Sequence, residues 1–297
     1  MNRSAKRRQE MARQAILRHR RLCALVTGAS SGIGRELSHL LAEKGHDLVL
    51  VARRTDLLKE LAAELEIKHG ITATVITADL GEVSSPGAIA EELAGRGVEI
   101  DVLVNNAGYT MDGHFLQFPW EQHHQYVKVM AVAPTELTYR FLPNMVRRGF
   151  GQVLNVASVG GLLPGTPFDA LYGPSKIYLI TLTRSLAVEW GAAGVSFSAF
   201  CPGPVKDTAI VETPHGVTWT RVPAFLSDLR ESVEGAWAAL EKDKTVQVWG
   251  PVSRAVYLTG RVLPTAFWNR LNGRMVRWLS KEPLIKTPAD AGLTELR

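Results

Sequence analysis

The 297-residue sequence predicts an α/β fold built on a doubly wound parallel sheet in a single domain. Three observations carry that expectation. Short β-branched runs alternate with longer stretches of helical periodicity, as when helices cross over between parallel strands. The strand runs show little polar alternation, which burial on both faces demands. A glycine-rich turn joins the first strand to the first helix of the series, the arrangement of a Rossmann-like sheet.

In chain order, strands are expected at residues 22–26, 47–51, 73–77, 100–104, 152–156 and 195–200, with a seventh at 246–249. Helices are expected at 33–44, 56–68, 87–96, 120–147 and 171–190, where apolar residues recur at helical spacing. No repeat, low-complexity segment or Pro/Gly linker divides the series. The domain therefore spans 22–250, between a basic arm at 1–21 and a basic amphipathic extension at 251–297.

A hydrophobic content of 46% suffices for a sizeable core. No apolar run approaches the roughly 18–20 residues that span a bilayer. Cys23 and Cys201 lie far apart without metal-like spacing, which suits a reducing, cytoplasmic setting. The net charge of +5 is unevenly spread: residues 1–21 carry +7, residues 252–280 carry +5, and the remainder carries −7. An acidic body with basic ends argues against a nucleic-acid-binding core and leaves an acidic membrane surface as a partner for the ends. The LCALVT run after the basic start is too short for a signal-peptide core and leads into the glycine turn, so it reads as a buried strand. An Arg-rich, acid-poor start also fits a transit peptide; a solvated arm is the plainer reading.

The turn itself is Gly28-Ala29-Ser30-Ser31-Gly32-Ile33-Gly34. Glycines let the backbone turn tightly and approach a pyrophosphate, and the following helix start offers free N–H groups and a positive dipole end. The spacing G-x-x-x-G-x-G differs from the commoner G-x-G-x-x-G fingerprint. After the second strand, where an acid would bind a ribose 2′-hydroxyl, stand Ala52, Arg53 and Arg54. Guanidinium groups grip a 2′-phosphate and sit poorly at a helix N-terminus for any structural reason. The cofactor expected is NADP(H) rather than NAD(H).

With TGASSGIG at 27–34, ADL at 78–80, NNAG at 105–108, NVAS at 155–158, YGPSK at 172–176 and CPGPVKDT at 201–208, the sequence resembles the classical short-chain dehydrogenase/reductases. Six motifs in register, over roughly residues 22–249, make the resemblance specific. It implies that Asp79 and Leu80 flank the adenine, and that Asn105, Ala107 and Gly108 support the central strand and the cofactor. Pro202, Gly203, Val205 and Thr208 are implied to wrap the nicotinamide end.

Tyr172 and Lys176 are four residues apart and share a helix face. A phenol with a free pKa near 10 is a sluggish proton donor at neutral pH, and an ammonium within about 4–6 Å lowers that pKa by roughly 1–3 units. The resemblance assigns matching roles: Tyr172 exchanges a proton with the carbonyl oxygen, Lys176 tunes it and holds the nicotinamide ribose, and Ser158 hydrogen-bonds the reacting oxygen. The family's usual helix asparagine, which helps hold a relay water, is replaced at the matching place by Met130. A thioether donates nothing. Asn105 and Asn106 read as polar bracing. His123 and His124 read as surface histidines and no metal site is expected.

The implied activity is an NADP(H)-dependent oxidoreductase interconverting a ketone or aldehyde and an alcohol, often in a homo-oligomer. The competing class is a cofactor-binding regulatory or scaffold protein with little turnover. A substrate lid is expected at about 208–237. With Leu162, Leu163, Phe168, Trp219 and Phe225 it would line an apolar pocket for a lipophilic carbonyl compound. In FWNRLNGRMVRWLS, Phe267, Trp268, Leu271, Met275, Trp278 and Leu279 fall on one third of a helix, edged by Arg270, Arg274 and Arg277. Two readings fit that helix: an interfacial membrane helix, or a cap on the pocket or a dimer contact.

Overall fold

The computed structural model describes residues 3–163, 165, 169–208, 211 and 218–279. Seven strands, β1 (Cys23–Thr27), β2 (Asp47–Ala52), β3 (Ala73–Thr77), β4 (Val102–Asn105), β5 (Gly151–Val156), β6 (Val195–Cys201) and β7 (Val246–Val248), form one sheet in the order β3-β2-β1-β4-β5-β6-β7. Every neighbouring pair is parallel. The helices are α1 (Arg3–Leu17), α2 (Gly32–Glu43), α3 (Thr55–His69), α4 (Ser85–Gly95), α5 (Trp120–Val127), α6 (Ala133–Arg148), α7 (Tyr172–Trp190), α8 (Leu229–Glu241), α9 (Pro251–Val262) and α10 (Thr265–Leu279).

Alternation along each strand divides the core in two. Ala24, Val26, Leu48 and Leu50 pack with Leu37 and Leu41 of α2, α3 and Trp237 of α8. Leu25, Val49 and Val51 face the other way, against Ile89 of α4 and Leu137 and Phe141 of α6. Each fully buried leucine, isoleucine or valine among these stabilises the fold by about 1.5–3 kcal/mol. Strand order reverses between β1 and β4, the switch point where open α/β sheets bind ligands beyond the carboxyl ends of their strands.

Three elements differ from the sequence reading. The helix expected at 120–147 is broken by a π-turn at Lys128–Val132 between α5 and α6. Pro134 has no N–H for the Met130 carbonyl, which an uninterrupted α-helix requires. Of the basic arm at 1–21, the described residues 3–21 are not wholly solvated. They contain α1, which buries Ala5, and Gln9 Nε2 donates to Ser196 Oγ at 3.0 Å. Arg20 then closes a bidentate pair on the buried Asp101 at 2.5 and 2.9 Å. Finally, the expected lid ends early, because Asp228 accepts from Glu231 N at 3.0 Å and starts α8, whose Val233, Ala236 and Leu240 are core. Residues 212–217 of that lid lie outside the described residues.

Candidate active site

A cleft of about 710 Å³ opens at the switch point. Thr27, the last residue of β1, fastens its floor: its hydroxyl accepts from the amides of Asn106 and Ala107, both at 3.0 Å. Gly28 and Gly32 take φ of +69° and +52°, which other residues rarely adopt. A Cβ on Gly34 would sit 2.3 Å from the Gly28 carbonyl oxygen, so the start of α2 is pressed directly onto the turn. Gly34 thus acts through packing, whereas Gly28, Ser30, Ser31, Gly32 and Ile33 form cleft wall. This bare cradle at a helix N-terminus fits a pyrophosphate.

Beside it, Arg54 donates through Nη2 to the hydroxyls of Ser30 at 2.9 Å and Ser31 at 2.7 Å. Arg53 leaves 71% of its side chain exposed and pairs loosely with Asp79 at 3.9 Å. No acid stands at the end of β2, and Asp79 and Leu80 form the adjoining wall. In the NNAG stretch, Ala107 and Gly108 line the cleft with Asn106. Asn105 does not: its side chain lies in the core and donates to Asn155 Oδ1 at 2.9 Å, while Asn155 donates to Thr183 at 2.8 Å. That ladder ties β4, β5 and α7 together, so Asn105 braces rather than binds.

Ser158, at the carboxyl end of β5, accepts from Gly160 N at 3.1 Å, and its hydroxyl also reaches the Tyr172 phenol. Lys176 is 5% exposed, donates to the Val156 carbonyl at 3.0 Å, and holds its ammonium 5.5 Å from the centre of the Tyr172 ring. A Cβ on Gly161 would meet the Lys176 and Ile177 backbone at 2.7 Å, so glycine lets the loop after β5 lie against α7. One part of the spacing argument fails. Tyr172 is partly open to the cleft, yet desolvation pushes its phenol up to about 12, against the lowering pull of Ser158. The same burial draws Lys176 down to about 8. Helical spacing delivers the neighbour, but loss of solvation sets the direction of the phenol's shift.

Pro202, Gly203, Val205 and Thr208 line the cleft beyond this trio. Leu163, Trp219 and Phe225 also face it, whereas Leu162 packs against a small core cluster and Phe168 lies outside the described residues. The extension contributes directly. Asn272, Met275 and Val276 of α10 roof the cleft, and Asn272 Nδ2 donates to the Gly165 carbonyl at 2.8 Å. Met130 sits in the π-turn; its Sδ and Lys176 Nζ lie 2.9 and 3.7 Å from the point a Gly108 Cβ would occupy. His123 is buried rather than on the surface, with Nε2 on the Phe115 carbonyl at 2.8 Å. Spacing gave no notice of two carboxyls on the cleft wall, Asp112 and Asp169. An acid three residues before Tyr172 reads as an ordinary residue of a helix start.

The sequence profile of the short chain dehydrogenase family matches residues 22–215, and the chain belongs to the short-chain dehydrogenase/reductase family. It is 36% identical over 186 residues to "Oxidoreductase UcpA" of Salmonella typhimurium, covering 62% of this chain and 69% of that one. It is 30% identical over 264 residues to "Ketoacyl reductase HetN" of Nostoc sp., covering 86% and 88%. Among solved structures it is similar to a short-chain dehydrogenase from Sphingobium yanoikuyae in complex with NADPH, at 26% identity and a TM-score of 0.68, covering 90% and 98%. The protein is thus an oxidoreductase of a nicotinamide-using family.

Proposed function

We propose that this oxidoreductase is NADP(H)-dependent and interconverts a ketone or aldehyde with an alcohol on a lipophilic substrate. The observation that carries the reading is the meeting of Ser158, Tyr172 and Lys176 in one cleft whose far end holds a glycine cradle and two arginines. Arg54, already hydrogen-bonded to Ser30 and Ser31, and the exposed Arg53 supply a cationic, hydroxyl-rich seat for a 2′-phosphate. The NADPH bound by the Sphingobium yanoikuyae protein supports that choice. When bound, the dinucleotide supplies the hydride chemistry at the carbonyl carbon.

The chain's own residues handle the proton. Ser158 orients the carbonyl oxygen by hydrogen bonding, and Tyr172, protonated at neutral pH with its phenol pushed up to about 12, donates to that oxygen as negative charge gathers on it. The Lys176 ammonium, held by the Val156 carbonyl over the phenol ring, stabilises the phenolate that remains. The α10 roof and the walls at Leu163, Trp219 and Phe225 exclude water and suit an apolar substrate body. The test is NADPH and NADH oxidation with a carbonyl panel, wild type against Tyr172→Phe. A loss of about 10²–10⁴-fold in kcat with NADPH binding retained is expected, and NADPH preferred over NADH. Equal rates for the two proteins would favour the scaffold reading instead.

The outer side of the extension favours a peripheral contact with an acidic lipid surface. Leu258, Val262, Phe267, Leu271 and Trp278 are exposed beside Arg254, Arg261, Arg270, Arg274 and Arg277, with no acid between residues 252 and 280.

A further inference from the structure

We propose that Asp169 selects the substrate: its carboxyl hydrogen-bonds a hydroxyl group carried beside the reacting carbonyl, so the preferred substrate is a hydroxyketone with an apolar body. This rests on the oxidoreductase reading above and adds the substrate class to it.

Asp169 stands in the turn ahead of α7 and is 8% exposed. Tyr172 N donates to the Asp169 backbone carbonyl at 3.3 Å, and the nearby amides of Tyr172 and Met111 favour the ionised carboxyl against the pull of burial. Neither accounts for the rest of the group. Asp169 forms part of the cleft wall, and its Oδ1 is buried without a hydrogen-bond partner; such an oxygen calls for a donor. Asp112, from the loop after β4, faces the same space and accepts from Thr110 Oγ1 at 2.8 Å. Tyr126 of α5, with its hydroxyl buried near Ser175, and Tyr172 and Lys176 of α7 complete the titratable surroundings.

The chemistry of these walls is divided. Two carboxyls stand beside the catalytic trio, while Leu163, Trp219, Phe225, Met275 and Val276 supply apolar surface. Among the described cleft residues the remaining cations are Arg53 and Arg54 at the dinucleotide end, so Lys176 alone offsets the acids near the reacting atoms. A substrate carboxylate or phosphate beside the carbonyl meets repulsion there; a hydroxyl finds an acceptor. Burial and then Asp112 push the Asp169 carboxyl up to about 8, so both its forms exist near neutrality. The neutral form gives and takes a hydrogen bond, and the ionised form is the stronger acceptor.

The experiment compares kcat/KM for two ketones of one apolar skeleton, with and without a hydroxyl next to the carbonyl, across pH. The ratio between them is the readout, because titration of Lys176 acts on both substrates alike. Wild type is expected to favour the hydroxyketone by about tenfold or more, the ratio rising as pH passes through about 8. Asp169→Leu is expected to bring the ratio close to one. Asp169→Asn is expected to keep a preference that no longer varies with pH, and decides the matter if the leucine variant does not fold. A wild-type ratio of about one, or an Asp169→Leu ratio equal to wild type, overturns the proposal. Wild type that reduces neither ketone nor any other carbonyl brings down the oxidoreductase reading itself, and the proposal with it.

Discussion

The Tyr172 phenol and the Lys176 ammonium both lose solvation in the cleft wall, which moves their proton affinities in opposite directions. With the phenol up near 12 and the ammonium down near 8, the two directions of reaction acquire different pH profiles. On the proposed mechanism carbonyl reduction needs protonated Tyr172 and cationic Lys176, so its kcat/KM is expected to hold below about pH 8 and fall above it. Alcohol oxidation needs phenolate and is expected to rise toward the alkaline end. Profiles of both directions between about pH 6 and 10 check this; parallel profiles would contradict it. Met130 offers a second handle. An amide oxygen near Lys176 Nζ favours the ammonium, so Met130→Asn is expected to move the alkaline limb of reduction to higher pH. An unmoved limb would remove this position from the proton path. The sign of the tyrosine shift was not legible in the spacing of Tyr172 and Lys176, because spacing reports proximity and says nothing of burial. Asp169 escaped for a related reason: what distinguishes it is an oxygen without a partner, a property only packing creates.

At the scale of elements, the turn between β1 and α2 shows how closely glycine pattern and packing correspond. The spacing of Gly28, Gly32 and Gly34 was readable as a phosphate cradle, and the structure divides the work: two positive φ angles for the turn, one bare Cα for the seat of the helix. Gly34→Ala forces a methyl group toward the Gly28 carbonyl and is expected to cost about 1–3 kcal/mol of stability, with loss of dinucleotide binding. Thermal unfolding with and without NADPH measures both; an unshifted midpoint and intact binding would contradict the packing argument. Strand positions were legible to within a residue or two, since doubly buried strands must be apolar runs. The break at Lys128–Val132 was not, although Pro134 caused it: apolar periodicity continues across a π-turn, and only the missing N–H betrays it. Nor was α1, whose many charges hide the small face that Ala5 and Gln9 turn to the sheet.

For the molecule as a whole, the asymmetry between an acidic body and basic ends was plain in composition, but where the ends go was not. The N-terminal end is drawn in by Arg20 on Asp101. The C-terminal run, read as a single apolar face, divides instead: Trp268, Val276 and Leu279 turn inward, and Phe267, Leu271 and Trp278 turn outward. The outward side is expected to bind vesicles of phosphatidylserine and phosphatidylcholine at low salt, and to release them as salt screens the arginines. Co-sedimentation checks this, with Phe267→Ser and Trp278→Ser expected to weaken it several-fold. No co-sedimentation at any salt would leave the outer face as ordinary surface. Among the described residues no helix is long and apolar enough to cross a membrane, so the contact in question is with a surface.

The hydrogen bond from Asn272 to the Gly165 carbonyl gives this arrangement a mechanical side. It fastens α10 to Gly165, ahead of Tyr172, so the helix that roofs the cleft on one side carries exposed aromatic and basic residues on the other. On the function proposed above, shifting α10 away from that carbonyl unroofs the cleft, and pressing it back covers Tyr172 and Lys176.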